Sequence, residues 1–204
     1  MDTANRVIDR PPVSGVAGPG ITRHYGPVAR GVHWLVAALA VINVSLGWAA
    51  GSVAHNTPAR ADLLLLHRSV GLTIFALMAF RVVWRARHSP PPLPSSLGDI
   101  ETGLAHLTHI GLYFVFVVMP IAGYVNAAAA GHAVSFFGLF SIPALLPLNE
   151  RVSQWAIAVH LVGQYLVYLL VALHVAGGLY HGVIRRDDVL ERMLPRRRGA
   201  RSPR

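Results

Sequence analysis

Between Gly31 and Ala59 the chain carries no Asp, Glu, Lys or Arg, and the same holds from Val152 to Ile184. A charge-free apolar run of about 20 residues matches the hydrocarbon thickness of a bilayer when coiled as a helix. In hydrocarbon every backbone amide and carbonyl needs an internal partner, so such runs cross as helices. These two segments commit the chain to a membrane fold. Composition agrees, since only 13% of the 204 residues are charged, against about 25% in soluble domains.

The rest of the pattern adds two more spans. Helix 1 is predicted over 30–50, helix 2 over 62–85, helix 3 over 102–127 and helix 4 over 153–184. Helix 2 has Arg68 near its start and Arg81 near its end, with an apolar stretch from Val70 to Phe80 between them. The run Ser89-Pro90-Pro91-Pro92-Leu93-Pro94 cannot be helical, because proline lacks an amide hydrogen and restricts its predecessor. Pro120 is expected to kink helix 3. Residues 128–152 are apolar but broken by Gly131, Gly138, Pro143 and Pro147. They read as an interfacial loop carrying Phe136, Phe137 and Phe140. No repeat of fixed period is present. The expected fold is an all-α, integral membrane four-helix bundle over 30–186. A disordered tail over 1–29 and a basic tail over 187–204 flank it. The first of these is not read as a signal peptide, since no small-residue cleavage site follows a short apolar core.

The net charge of +9 would suit nucleic acid, but the arginines form no face. They gather in the two tails and in the loop between helices 2 and 3, entered through Arg81, Arg85 and Arg87. The other two loops hold only Arg60 and Arg151. This is a topology signal rather than a phosphate-binding pattern, and it puts both termini in the cytoplasm. An even number of spans gives the same answer. The expected location is the bacterial inner membrane, with lipid as the surrounding partner.

Cysteine is absent, which excludes disulfides, iron–sulfur clusters and covalently attached haem. A metal would have to rest chiefly on the eleven histidines. Ionisable groups inside a span are costly and are functional candidates by default. His33 lies at the start of helix 1, His67 at the start of helix 2, and His160 and His174 fourteen residues apart on helix 4. Fourteen residues rise about 21 Å and return to within about 40° of the same face. Helix 4 can thus present one imidazole in each leaflet. Depth then pairs His33 with His174 and His67 with His160, and a flat macrocycle with two axial imidazoles fits between such helices. Zinc is the other metal to weigh, but it usually takes three or four protein ligands at one depth.

Weaker candidates surround these four. His106 and His109 stand at i, i+3 on helix 3, where they could serve a propionate or relay protons or simply be wetted. His181 follows His174 by seven residues on the same face and could line a site there. Arg68 and Arg81 could pair with propionates or snorkel to headgroups. Trp34, Trp48, Trp84 and Trp155 suit interfacial belts. Gly71, Gly111, Gly163, Gly177 and Gly178 would permit close helix approach. His24, His55, His88 and His132 receive no role.

Several stretches carry a family resemblance. Tyr25 precedes His33-Trp34 by eight residues, and His67 is followed by Ser69-Val70-Gly71. Phe80-Arg81 leads into the proline-rich loop, and Gly103-Leu104-Ala105-His106 opens helix 3. Phe137-Gly138-Leu139 precedes Pro143, His160 is spaced fourteen from His174, and Arg192-Met193-Leu194-Pro195-Arg196 closes the series. In this order and spacing, over about residues 23–198, the chain resembles the bacterial cytochrome b561 family of di-haem membrane cytochromes. It departs at Trp155, five residues before His160, where the family pattern sets a tryptophan directly before the ligand. The long N-terminal tail is also extra.

The resemblance implies two non-covalent haem b groups with axial ligands His33, His67, His160 and His174, the same four residues reached from depth. It also implies ubiquinone as substrate and, as in the nearest relatives, oxidation of periplasmic superoxide. The expected function is one-electron transfer from a periplasmic donor to membrane ubiquinone. His181 would border the quinone site and His106 or His109 would relay protons. The alternative is a cytochrome b anchor subunit that passes electrons from a partner dehydrogenase or hydrogenase to quinone.

Overall fold

The computed structural model describes residues 24–92 and 97–194. Four helices dominate it: α1 (Pro27–Ser52), α2 (Pro58–Arg87), α3 (Asp99–Ala129) and α4 (Glu150–Leu179). Each is long and apolar enough to cross a bilayer. α1, α2 and α3 overrun their sequence-predicted bounds by about a turn or less at each end, whereas α4 starts three residues early and stops at Leu179, five residues short of 184. Apolar patterning stops at the hydrocarbon edge, whereas the caps lie beyond it. The Thr57 hydroxyl accepts from the Arg60 amide at 3.3 Å, and the Asn149 side chain accepts from the Val152 amide at 3.1 Å. Proline at the first positions of α1 and α2 has no amide hydrogen to leave unpaired. α3 continues through Pro120 as one helix.

α1 packs on α2, α2 on α3, and α3 most extensively on α4. A Cβ added at Gly111 would lie 3.0 Å from Leu170, and one at Gly163 would lie 2.5 Å from the Met119 sulfur. Those two glycines set how closely α3 and α4 approach. Two small apolar clusters form the interior, one of Val36, Val70, Ile74 and Met78 and one of Val115, Val167 and Leu170. Leu107, Val162, Tyr165 and Leu169 are exposed. Such a surface would be intolerable in water and is ordinary against lipid tails.

The segment 128–152 is more ordered than a plain loop. It holds an antiparallel hairpin of β1 (Val134–Phe136) and β2 (Phe140–Ile142), with Phe136 paired to Phe140. Its turn needs positive φ at Phe137 (50°) and Gly138 (74°), a conformation that glycine takes freely and phenylalanine rarely. The fully buried Ser69 hydroxyl on α2 donates to the Leu65 carbonyl and accepts from the Phe137 amide at 2.8 Å, stapling the hairpin to α2.

The C-terminal end also differs from expectation. α4 passes into a π-helical turn, Tyr180–Arg185, and stops at Arg186, which has a left-handed φ of 55°. Residues 187–194 then fold back on the start of α1 instead of leaving as a free tail. The Trp34 indole donates to the Met193 carbonyl at 2.9 Å, and Arg30 donates to the Leu194 carbonyl at 2.8 Å. Of the expected tails over 1–29 and 187–204, residues 1–23 and 195–204 lie outside the described residues. The tryptophans are more than belt anchors: Trp48 donates to the Tyr168 hydroxyl at 2.7 Å, and Trp84 stacks on His88.

Candidate functional site

The helices bring the four spanning histidines together in the two pairs expected from depth. His67 on α2 meets His160 on α4 with ring centroids 5.9 Å apart and planes at 78°. His33 on α1 meets His174 on α4 at 5.9 Å and 73°. Two metal–nitrogen bonds of about 2 Å end to end, plus about 1 Å from each nitrogen to its ring centre, come to about 6 Å. At this spacing each pair would suit an iron held between its two imidazoles. Each pair offers two ligands, and no group of three or more His, Cys, Asp or Glu side chains gathers at metal-binding range among the described residues.

Proton placement strengthens the fit at one pair. His67 Nδ1 lies 3.0 Å from the Asn43 carbonyl of α1, and His160 Nδ1 lies 2.9 Å from the Met119 carbonyl of α3. A carbonyl can only accept, so both rings carry their proton on Nδ1. The lone pair is left on Nε2, the form in which a neutral histidine binds metal. Two glycines make room for these rings. A Cβ at Gly47 would lie 3.2 Å from the His67 ring, and one at Gly123 would lie 3.4 Å from the His160 ring.

The other pair sits among cations. Arg81 donates to His33 Nδ1 at 3.0 Å and to the Tyr113 hydroxyl at 2.9 Å, and Arg85 lies over the Tyr113 ring at 5.9 Å. Because His33 Nδ1 accepts here, its neutral form has the proton on Nε2. Ligation through Nε2 therefore requires the guanidinium to leave Nδ1. The His109 ring stands 5.2 Å from that of His174.

The remaining predicted residues divide. Arg68 is half-buried beside His67 and makes no ion pair among the described residues. His106 is exposed and makes no hydrogen bond or ring contact there. His181 does not join His174; its Nδ1 bonds the Asp187 carboxylate at 2.7 Å. Burial works against ionisation of Asp187. Hydrogen bonds from His181 and the Val189 amide, with the charge of Arg185, outweigh it and hold the carboxyl below its ordinary value.

Gly47, Gly123 and the two carbonyl acceptors were missed in the sequence reading. The carbonyls have no residue signature at all. The glycines had one, since Gly47 follows His33 by fourteen residues and Gly123 follows His109 by fourteen. That is the spacing of His160 from His174, the interval that carries a helix from one site level to the other.

A family model described as prokaryotic cytochrome b561 matches residues 24–196. The chain belongs to the prokaryotic cytochrome b561 family. It is thus a multi-pass haem-b protein of the bacterial inner membrane. Among similar proteins is one from Yersinia pestis named "Probable superoxide oxidase CybB", 28% identical over 87% of this chain and 99% of its own. Cytochrome b561 homolog 2 of Escherichia coli K12 is 33% identical, covering 83% of this chain and 90% of its own. Cytochrome b561 homolog 1 of the same strain is 28% identical over 82% and 94%. Within this cytochrome b561 family member, the match spans all four helices and both histidine pairs.

Proposed function

We propose that the chain holds two haem b groups, one between His67 and His160 and one between His33 and His174. It would carry single electrons from a periplasmic donor to membrane ubiquinone. The observation that carries this reading is the equal 5.9 Å separation of the two imidazole pairs. When bound, each haem supplies a one-electron iron couple. The protein's part is to hold, orient and insulate. The Asn43 and Met119 carbonyls fix the tautomer and tilt of His67 and His160 and make them better donors. Gly47 and Gly123 leave space for their rings. Arg81, Arg85 and Tyr113 form a cationic, hydrogen-bonding edge beside His33 and His174 that suits a propionate, and Arg68 does so beside His67.

The arginine distribution orients the bundle with both termini and the α2–α3 loop in the cytoplasm, so that the His67–His160 pair faces the periplasm. Superoxide is the donor class that the name of the Yersinia relative suggests. Arg60 is turned onto the carbonyls of Ala50 and Val53 at the end of α1. Arg151 and Arg68 remain as the positive charges available to draw an anion to that side. At the opposite end, the ring contact of His109 with His174 favours His109 as a proton relay over His106, which makes no ring contact among the described residues. His181 borders the quinone.

The test is to purify the full chain and record its absorption spectrum, then mix it with superoxide and with a short-chain ubiquinone. The reading predicts b-type bands, rapid haem reduction by superoxide and reoxidation that depends on quinone. Absence of haem, or reduction that no quinone reverses, contradicts it.

A further inference from the structure

His33 and His174 stand on α1 and α4, two helices that scarcely pack on each other. Their rings nevertheless lie 5.9 Å apart. Among the described residues neither ring bonds a main-chain carbonyl, whereas His67 and His160 both do. The one hydrogen bond directly between α1 and α4 there runs from Trp48 to the Tyr168 hydroxyl. Trp48 is fourteen residues beyond Trp34, about 21 Å along α1 toward the other pair. The spacing of His33 and His174 is set by something nearer.

Residues 187–194 are placed to set it. They continue from the end of α4 and are seated back on it through Leu190. A Cβ added at Gly178 or Gly182 would lie 3.8 or 2.5 Å from that side chain. The segment then reaches α1 and the residues before it through three successive carbonyls. Those of Arg192, Met193 and Leu194 accept from the Tyr25 amide at 3.3 Å, the Trp34 indole at 2.9 Å and the Arg30 guanidinium at 2.8 Å. A short 3₁₀ turn, Glu191–Met193, aims them. The Trp34 ring in turn meets the ring of His33 edge-on, with centroids 5.3 Å apart and planes at 69°.

Arg192 locks this turn. It is the one buried charged side chain among the described residues, 8% exposed. One terminal nitrogen donates to the Pro92 carbonyl of the α2–α3 loop at 2.6 Å, and the other bonds the Asp188 carboxylate at 3.0 and 3.1 Å. A buried ion pair is a poor source of net stability. Here its geometry fixes where the three carbonyls point.

We infer that residues 187–194 form a clasp that sets the spacing and angle of His33 against His174, with Trp34 and Arg192 as positioning residues. This rests on the two-haem reading above. Arg192 holds the turn, the turn holds the Trp34 indole, and the indole backs the His33 ring. The orientation of an axial imidazole governs how firmly and at what potential a haem is held. The clasp therefore acts on the His33–His174 haem and leaves the other alone.

The experiment uses the full chain in detergent as wild type, Trp34→Phe, Arg192→Met and Arg192→Lys. Two readings are taken. One is the largest g value of each low-spin ferric haem in the EPR spectrum, which follows the angle between its imidazole planes. The other is the rate at which each haem passes to excess apomyoglobin. His33→Ala and His67→Ala identify which signal belongs to which haem. Trp34→Phe and Arg192→Met should both move the His33–His174 signal and speed loss of that haem about 10-fold, the scale of one lost hydrogen bond. The other haem should keep its signal and rate. Arg192→Lys, which can still serve Pro92 and Asp188, should recover most of the wild-type behaviour. Loss of the His33–His174 haem alone from a variant is the same effect at its limit and supports the clasp. If Arg192→Met does not accumulate, Arg30→Met, which loses the Leu194 bond, decides by the same two readings. Unchanged signals and rates overturn the proposal, as does an equal change at both haems, which marks a general loosening of the fold. A change in Trp34→Phe with none in Arg192→Met also overturns it, since Trp34 then acts without the clasp. Wild-type protein that lacks two low-spin haems overturns the two-haem reading and the proposal with it.

Discussion

His160 on α4 donates its Nδ1 proton to the main-chain carbonyl of Met119 on α3, 2.9 Å away. His67 does the same to the Asn43 carbonyl of α1 at 3.0 Å. Both rings of this pair are therefore aimed by backbone on a neighbouring helix, and glycines on those same two helices leave room for the rings.

Clearance for these rings is the first property to test. Gly47→Val would push side-chain carbons into His67, and Gly123→Val would do so to His160. Each variant should fall from two haems to one per chain, losing the His67–His160 haem and keeping the other. Met119→Leu should keep both, because the acceptor is backbone. Pyridine haemochrome analysis against protein concentration measures this. Two haems in the glycine variants would show that the rings can move aside.

The four helices and the histidine pairs were legible in the sequence because both follow from periodicity. Long charge-free runs fix the spans, and the fourteen-residue interval fixes the two levels. What could not be read rests on contacts without a residue signature. The Asn43 and Met119 carbonyls are backbone. The return of Asp187 to His181 depends on a π-turn and a left-handed Arg186, which no helical period encodes. The hairpin at Val134–Ile142 was hidden because its strands are only three residues long. Its turn also places Phe137 in a conformation that its side chain does not favour.

Arg81 faces the second pair. A cation beside an iron centre favours the reduced state, so Arg81→Met should lower the midpoint potential of the His33–His174 haem. The expected size is about 60 mV, the one-electron equivalent of about 1.4 kcal/mol, with the other haem nearly unmoved. Arg81→Lys should retain part of the effect. A spectroelectrochemical titration reads both. An equal shift of both haems would mean that Arg81 acts on the fold instead.

The orientation is tested with single cysteines, which the chain's lack of native cysteine makes clean. Cysteines replacing Ser52 and Ser141 should react with an impermeant maleimide in intact spheroplasts. Those replacing Ser14 and Ser95 should react only after lysis. The opposite pattern would reverse the assignment of the two pairs to membrane sides.

Asp187 gives the clasp of 187–194 on α1 a pH dependence. Its carboxyl is held below the ordinary 3.8 in the folded chain. A depressed carboxyl stabilises above its unfolded value, and that contribution is lost as pH falls through the folded one. The Trp34–Met193 contact should therefore loosen on acidification below about pH 3.8, seen as a change in tryptophan emission in detergent. Asp187→Asn should remove this transition. A wild-type transition well above that window would point to a different group.

The most direct test of the central claim is the haem content of four variants, His33→Ala, His67→Ala, His160→Ala and His174→Ala. Two haems in the wild type should become one in each variant. His67→Ala and His160→Ala should share one residual spectrum, and His33→Ala and His174→Ala another. Yield should drop with each lost haem, since bound cofactor stabilises the fold. Four variants that each retain two haems with wild-type spectra would contradict the assignment of the ligands.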